Sequence, residues 1–410
     1  MTTLVERHII RKGDSRWAEI DQSAWLAKNL WNAANYTLRQ PFIHDDTFLT
    51  FKQLYRQVRD NYSQDYEALP GRVSNQVLKQ LYGAWQYWFK ALKAYEKSPE
   101  KFMGKPRIPG YRHKMKGRNR LAYDIQAFSK RRLRDGVIAP SGLTVTVQTQ
   151  IAPERIKEVH ITPQVNCYVV QVIYTQEPAE PIGGDYVAGI DVGLDNLAAI
   201  ATNKPGVQPI LVNGRPLKSI NQFYNKRKAA FQSQLSRNQK SSNRIRQITH
   251  RRNLRVDDYL HRASRFMVDW LVEHQIGTLV IGKNEGWKQH INIGKRNNQQ
   301  FVGIPHARFI HMLTYKAELE GIEVILTEES YTSKCSFLDL EPICKHTTYM
   351  GKRVKCGMFR ASDGTLINAD INGAGNIIRK VIPNAFADGV EALAVAPVRV
   401  SPVQTKMVVH

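Results

Sequence analysis

Hydrophobic and polar positions change rhythm several times along this chain. Residues 4–12 alternate around His8, Ile9 and Ile10, which predicts a strand. Over 17–40, Trp25, Leu26, Leu30, Trp31 and Ala34 recur near helical spacing and predict a helix. A second helix is expected over about 48–60, ahead of the breaker Leu69-Pro70-Gly71. A third, over about 72–96, is carried by Val77, Leu78, Leu81, Trp85, Trp88, Phe89 and Leu92. From about 136 to 176 the period becomes two. LTVTVQTQI alternates cleanly, CYVVQVIYT is strongly strand-like, and 154–161 reads as a strand between them. With the first strand these predict a small antiparallel β-barrel or sheet, interrupted by a helical insertion. Pro178, Pro181, Gly183 and Gly184 then mark a linker and the main domain boundary.

Beyond the linker, strand and helix patterns alternate, as in an α/β domain. Strands are expected at 187–192, 196–202 and 207–212, then a long helical region over about 216–275. A short apolar strand at 278–281 ends at Gly282, and the amphipathic stretch HARFIHMLTYKAELEG predicts a helix over 305–320. A strand at 322–326 and a helix at 369–379 complete the pattern. The tail from about Pro383 is rich in Ala, Val and Pro and has no assigned role.

The 410 residues suffice for two or three modules. With 42% hydrophobic and 23% charged residues and no apolar run of about 18, the chain reads as a globular protein without a membrane span. Charge changes the picture more. Against 36 acids stand 59 Lys and Arg, a formal net charge of +23, which predicts a polyanionic partner. The basic residues cluster. The stretch KFMGKPRIPGYRHKMKGRNRLAYDIQAFSKRRLR holds Lys114, Lys116, Arg118, Arg131 and Arg132 among its bases and one acid, Asp124. Its prolines forbid a continuous helix, and Tyr111, Tyr123 and Phe128 are interleaved for stacking. The alternative is a solvated loop. The helical region 218–265 carries Lys226, Arg227, Lys228, Arg244, Arg246, Arg251 and Arg252, again a solvated face or a nucleic-acid-binding one. Four cysteines are too few for a disulfide scaffold and fit a reducing, cytoplasmic setting.

Three carboxylates are candidates for chemistry. Asp191 closes an apolar run in GIDVGLDNLAAI, Glu285 follows the strand TLVIG, and Asp370 opens a small-residue helix in INADINGAGNI. Singly, each has a bland reading: a turn aspartate, a solvent-facing glutamate, a helix N-terminal acid favoured by the dipole. Gathered by folding, such a trio can hold two divalent ions on a phosphodiester.

The text GIDVGLDNLAAIAT, IGKNEGW, YTSKCSF and INADINGAGNIIRK resembles the TnpB family, transposon-encoded RNA-guided DNA endonucleases related to type V CRISPR effectors. The resemblance implies a RuvC, ribonuclease H-like α/β nuclease domain over 185–380. It further implies a β-barrel wedge domain from 1–15 and 135–180, and a helical recognition domain at 16–134. A degenerate zinc-finger-like insertion falls at about 333–362, and 381–410 is a C-terminal tail. Asp191, Glu285 and Asp370 would bind two Mg²⁺ ions and be catalytic, with a guide RNA and double-stranded target DNA as partners. Family members often carry two CxxC pairs in the insertion; here both second cysteines are missing. Cys335, Cys344, His346 and Cys356 could complete a zinc site, but at irregular spacing, and a loop packed by Phe337, Leu338, Ile343, Tyr349 and Phe359 is favoured. Two other readings stay open: a nuclease-silent RNA-guided repressor, and a guide-independent RuvC-like nuclease.

Overall fold

A computed structural model of the chain describes residues 1–284, 294–355 and 357–402. The chain divides into two compact units, Met1–Gln176 and Glu177 onward.

In the first unit, β1 (Thr2–Arg11) is followed by four helices: α1 (Trp17–Asp45), α2 (Phe51–Asn61), α3 (Ser63–Glu67) and α4 (Gly71–Lys97). Then come β2 (Leu121–Asp124), α5 (Lys130–Arg134), β3 (Val137–Ile138), β4 (Val147–Gln148), β5 (Ile156–Gln164) and β6 (Cys167–Gln176). The main sheet is antiparallel in the order β1-β6-β5-β2, so β1 and β6, at opposite ends of the unit's sequence, pair from Thr2–Gln176 to Arg11–Cys167. This is an open four-stranded sheet, where a barrel had been one expectation. A second departure is LTVTVQTQI. Only Val147–Gln148 pairs there, because β4 finds a two-residue partner in β3. The helices form as their spacing predicts: α1 buries Ile20, Ala24, Ala27, Leu30, Ala34 and Leu38, and α4 buries Val73, Val77, Leu78, Leu81 and Trp85. A reciprocal Thr50–Gln53 capping box starts α2.

The basic stretch is sewn onto these helices. Trp31 Nε1 donates to Gly110 O at 3.3 Å, Asn35 Nδ2 to Pro109 O at 3.0 Å, and Trp88 Nε1 to Pro106 O at 3.2 Å. Buried Lys28 donates to Lys114 O at 2.7 Å. The backbone carbonyls of a proline-broken segment thereby find donors that a helix would have supplied.

In the second unit, β7 (Val187–Asp191), β8 (Asn196–Thr202) and β9 (Ile210–Asn213) form an antiparallel meander. The predicted long helical region is two helices, α6 (Arg215–Gln232) and α7 (Asn243–Glu273). They part at a polar stretch, 233–242, that has no apolar face to bury, and Ser242 caps α7. Next come β10 (Thr278–Gly282), α8 (Lys295–Val302), α9 (His306–Leu319) and β11 (Glu323–Thr327). A small antiparallel sheet of β12 (Lys352–Lys355), β13 (Met358–Arg360) and β14 (Leu366–Asn368) leads directly into α10 (Ala369–Val381). The last strand among the described residues, β15 (Val398–Val400), pairs parallel with β9, so the tail without assigned role adds an edge strand.

The sheet order is β11-β10-β7-β8-β9-β15, with β11, β10 and β7 parallel. One face is covered by α7 and α9 through Leu260, Met267, Leu271, Phe309 and Leu313; the other by α10, with Phe337 and Phe359. This is a mixed α/β architecture, as the alternation of strand and helix patterns predicts. Among the described residues, no helix is long and apolar enough to cross a membrane.

Candidate functional site

Asp191 is the last residue of β7, and its neighbours explain how α10 reaches it. Gly189 faces α10 so closely that a Cβ there would come within 2.6 Å of Ile378 Cγ1. A Cβ at Gly373 would lie 2.5 Å from Asp191 Oδ2. Glycine at both positions lets the helix settle over the strand end. Asp370 stands one turn ahead of Gly373, in the first turn of α10, where the dipole favours a negative charge. Asn368 Oδ1 caps this turn, accepting from Asp370 N at 3.0 Å and Ile371 N at 3.3 Å. The fold thus brings Asp191 and Asp370 together at the C-terminal edge of the parallel strands, where α/β sheets bind ligands.

Asn196, almost fully buried at the start of β8, donates from Nδ2 to Asp370 Oδ2 at 2.7 Å. Its Oδ1 is buried with no hydrogen-bond partner. On the far side of β10, Glu329 follows the end of β11. Asn284 holds it twice, donating from Nδ2 to Glu329 Oε2 at 3.2 Å and accepting from Glu329 N at 2.9 Å. Glu329 Oε1 is also buried and unpartnered. The turn after β7 is tied by buried His306, whose Nε2 lies 3.1 Å from Gly193 O.

The charges are under-compensated. Burial, then the charges of Asp370 and Glu329, holds the Asp191 carboxyl well above the usual carboxylate range, with Arg353 opposing. Glu329 is pushed up to about 7, mainly by burial and next by Glu328, against Lys380. Asp195 belongs elsewhere: it is exposed and paired with Lys218 at 2.6 Å.

Oxygen donors of this kind, short of positive partners, suit a hard divalent cation. Among the described residues no three His, Cys, Asp or Glu side chains already converge as a closed metal cage. The fit therefore rests on the donor chemistry and the orphaned buried oxygens. Glu285 lies outside the described residues. Sequence reading passed over Asn196, Asn284 and Glu329. The signal for Glu329 was an acid just after a predicted strand, in LTEESYTS.

At the insertion, Cys335 Sγ is buried and donates to Pro342 O at 3.4 Å, while Cys344 Sγ lies 3.4 Å from His346 Nε2. Cys356 lies outside the described residues. Phe337 and Phe359 are fully buried against α10, and Leu338 packs beside them.

The basic residues divide. Lys114, Lys116, Arg131 and Arg132 are exposed, as are Lys226 and Arg227 on α6 and Arg244, Arg246 and Arg251 on α7, with Lys228 half-buried. Arg118 and Arg252 have internal partners. Arg118 clasps Asp21 through Nε at 2.9 Å and Nη2 at 2.6 Å, a carboxylate that Tyr168 also reaches at 2.7 Å. Arg252 donates to Asn221 Oδ1 at 2.7 Å and to Gly303 O. Their positive charge remains, but their donors hold the fold.

The family model described as a probable transposase, OrfB of IS605, matches residues 167–288, and that of the Cas12f1-like TNB domain matches 306–377. Over these stretches the chain is similar to the TnpB family. It is 25% identical over 233 residues to a CRISPR-associated endodeoxyribonuclease, Cas12f2, of a Micrarchaeota archaeon (strain CG1_02_47_40). It is 23% identical over 186 residues to a TnpB-like protein of Methanocaldococcus jannaschii. These matches cover 53% and 42% of the chain and only 41% and 62% of the relatives' own lengths. Among solved structures, a Cas12f1–sgRNA–target DNA complex aligns with 91% of this chain and 98% of its own, at 14% identity and a TM-score of 0.38. A CRISPR-Cas12f ternary complex aligns with 88% and 82%, at 14% identity and a TM-score of 0.36.

Proposed function

We propose that this protein is an RNA-guided, Mg²⁺-dependent DNA endonuclease, with its chemistry at the edge where β7 meets α10. The observation that carries the reading is the approach of Asp191 and Asp370, two carboxylates brought together with Arg353 opposing their charge only in part. A fold tolerates such repulsion at a cost, and perturbed carboxylates of this kind concentrate at functional sites. Similarity to a Cas12f2 endodeoxyribonuclease and to a TnpB-like protein supports the reaction class.

The residues that would hold Mg²⁺ are Asp191 and Asp370, with a third carboxylate beside them. When bound, the ions supply activation of water and stabilisation of the leaving 3′ oxygen of a phosphodiester. The chain supplies the placement. Asn196 fixes the orientation of Asp370, and Gly373 lets Asp191 lie directly under α10. Exposed arginines of α6 and α7 would hold nucleic-acid phosphates, with Phe223 on the same groove as Arg227 and Arg251. Sequence would be read by guide pairing next to a short flanking motif in the DNA.

The test is to purify the full chain, sequence the RNA that accompanies it, and challenge the complex with matched double-stranded DNA and Mg²⁺. Cutting that requires both the RNA match and Mg²⁺ supports the reading. Cutting without RNA favours a guide-independent nuclease, and guided binding without cutting favours a repressor; either result overturns the proposal.

A further inference from the structure

The third carboxylate of this site has a second candidate besides Glu285. Resting on the nuclease reading above, we infer that Glu329 supplies it, reaching across the end of β10 from the neighbouring strand.

The register makes the reach possible. Ile281 of β10 pairs with Ile190 of β7, so Gly282 stands beside Asp191 one step on. Gly282 in turn pairs with Thr327 of β11. Asp191, Gly282 and Thr327 thus form one row across three parallel strands. Residues two apart on a strand share a face, so Asp191 lies on the face of Gly189, which touches α10. Gly282 is on that face too, since a Cβ there would come within 2.7 Å of Ile377 Cδ1 of α10.

Asp191 and the end of β11 are two strand spacings apart, roughly 10 Å, too far for a short side chain. The missing side chain at Gly282 opens the way. A Cβ there would collide with Glu329 Oε1 and lie 2.7 Å from its Cγ. The Glu329 carboxyl therefore occupies the space that a side chain of β10 would have filled, between β11 and Asp191. Asn284, two residues after Gly282, clamps Glu329 by backbone and carboxylate and leaves Oε1 unpartnered. Asp191 feels the Glu329 charge alongside that of Asp370. Strand, glycine and clamp together present one bare carboxylate oxygen to the site.

The experiment compares Glu329→Gln, Glu285→Gln and Asp191→Ala as full chains. Mn²⁺ binding is followed by electron paramagnetic resonance, and cleavage and melting temperature are measured in parallel. Glu329→Gln is expected to weaken Mn²⁺ binding by about tenfold or more, a loss on the scale seen for metal-site residues, and to abolish cutting while melting at least as high as wild type. Glu285→Gln is expected to keep both Mn²⁺ binding and cutting within about threefold. A transplant adds an independent arm: Gly282→Glu combined with Glu329→Gly moves the carboxylate one strand inward and should restore much of the Mn²⁺ affinity lost in Glu329→Gly alone. Loss in Glu285→Gln with retention in Glu329→Gln overturns the inference while leaving the nuclease reading intact. Retention of Mn²⁺ binding and cutting in Asp191→Ala sinks the nuclease site itself.

Discussion

The two faces of the six-stranded sheet differ at the end where Asp191 stands. Against α7 and α9 the sheet packs Leu260, Met267, Leu271, Phe309 and Leu313, all fully buried and apolar. Against α10 it also packs apolar side chains, among them Val280, Ile371 and Ile377, but at Gly189 and Gly373 the side chains are missing, and Asp191 lies under a helix that carries Asp370. Both faces are stabilised by removal of apolar surface from water. At the strand end the second gives up bulk so that backbone and carboxylates approach closely. One sheet thus anchors itself on one side and bears electrostatic repulsion on the other, the division expected where stability and function compete.

The largest expected effect lies on the apolar face. Phe309→Ala should cost about 3–5 kcal/mol in denaturant unfolding, through lost burial and the cavity left behind. If the two faces are independent, the protein that remains folded should bind Mn²⁺ as wild type does. A shared loss would join the faces into one cooperative unit. Gly189→Ala should cost less, about 1–3 kcal/mol of overpacking, because the new methyl meets the Ala374 carbonyl and Ile378. Yet it should impair Mn²⁺ binding, since α10 must shift away from Asp191. Unchanged binding would show that the close approach is not needed.

A smaller, pH-dependent effect separates the faces electrostatically. Glu329 has its folded-state value raised from 4.5 to about 7, so its contribution to stability is present below pH 4.5 and is lost as pH rises through about 7. Asp191 shifts in the same direction. Metal-free wild type should therefore lose melting temperature between pH 5 and pH 8, relative to Glu329→Gln. Parallel curves in EDTA would contradict the under-compensated site. The smallest effects belong to the exposed bases. Arg227→Ala and Arg251→Ala should each lower the slope of log affinity for RNA against log salt by about one, with little change in melting temperature. Arg252→Ala should instead lower melting temperature, because it holds Asn221 and Gly303.

How much of this was legible in the sequence follows from the size of each signal. The apolar runs of β7, β8 and β10 and the amphipathic spacing of α1, α4 and α9 are strong, and those elements form where expected. The strand Leu121–Asp124 was hidden inside a basic, proline-broken stretch, and its ladder depends on β5, some 35 residues away. LTVTVQTQI shows the reverse: alternation is local, but a strand needs a partner, and only two residues find one. The three residues of β15 pair with β9 across almost two hundred positions, which no local pattern encodes. At the site, Asp191 and Asp370 were legible because each sits inside a distinctive motif. Glu329 was not, because its role depends on the absence of a side chain at Gly282, 47 positions earlier.

The central claim, that Asp191 and Asp370 anchor metal-dependent, guide-directed cutting, is met most directly by one assay. Single-turnover cleavage of matched DNA is measured with the purified ribonucleoprotein in Mg²⁺, comparing wild type with Asp191→Ala. Guided cutting by wild type, no cutting by Asp191→Ala, and equal binding of the matched DNA by both are the predicted result. Cleavage by Asp191→Ala at the wild-type rate would contradict the account.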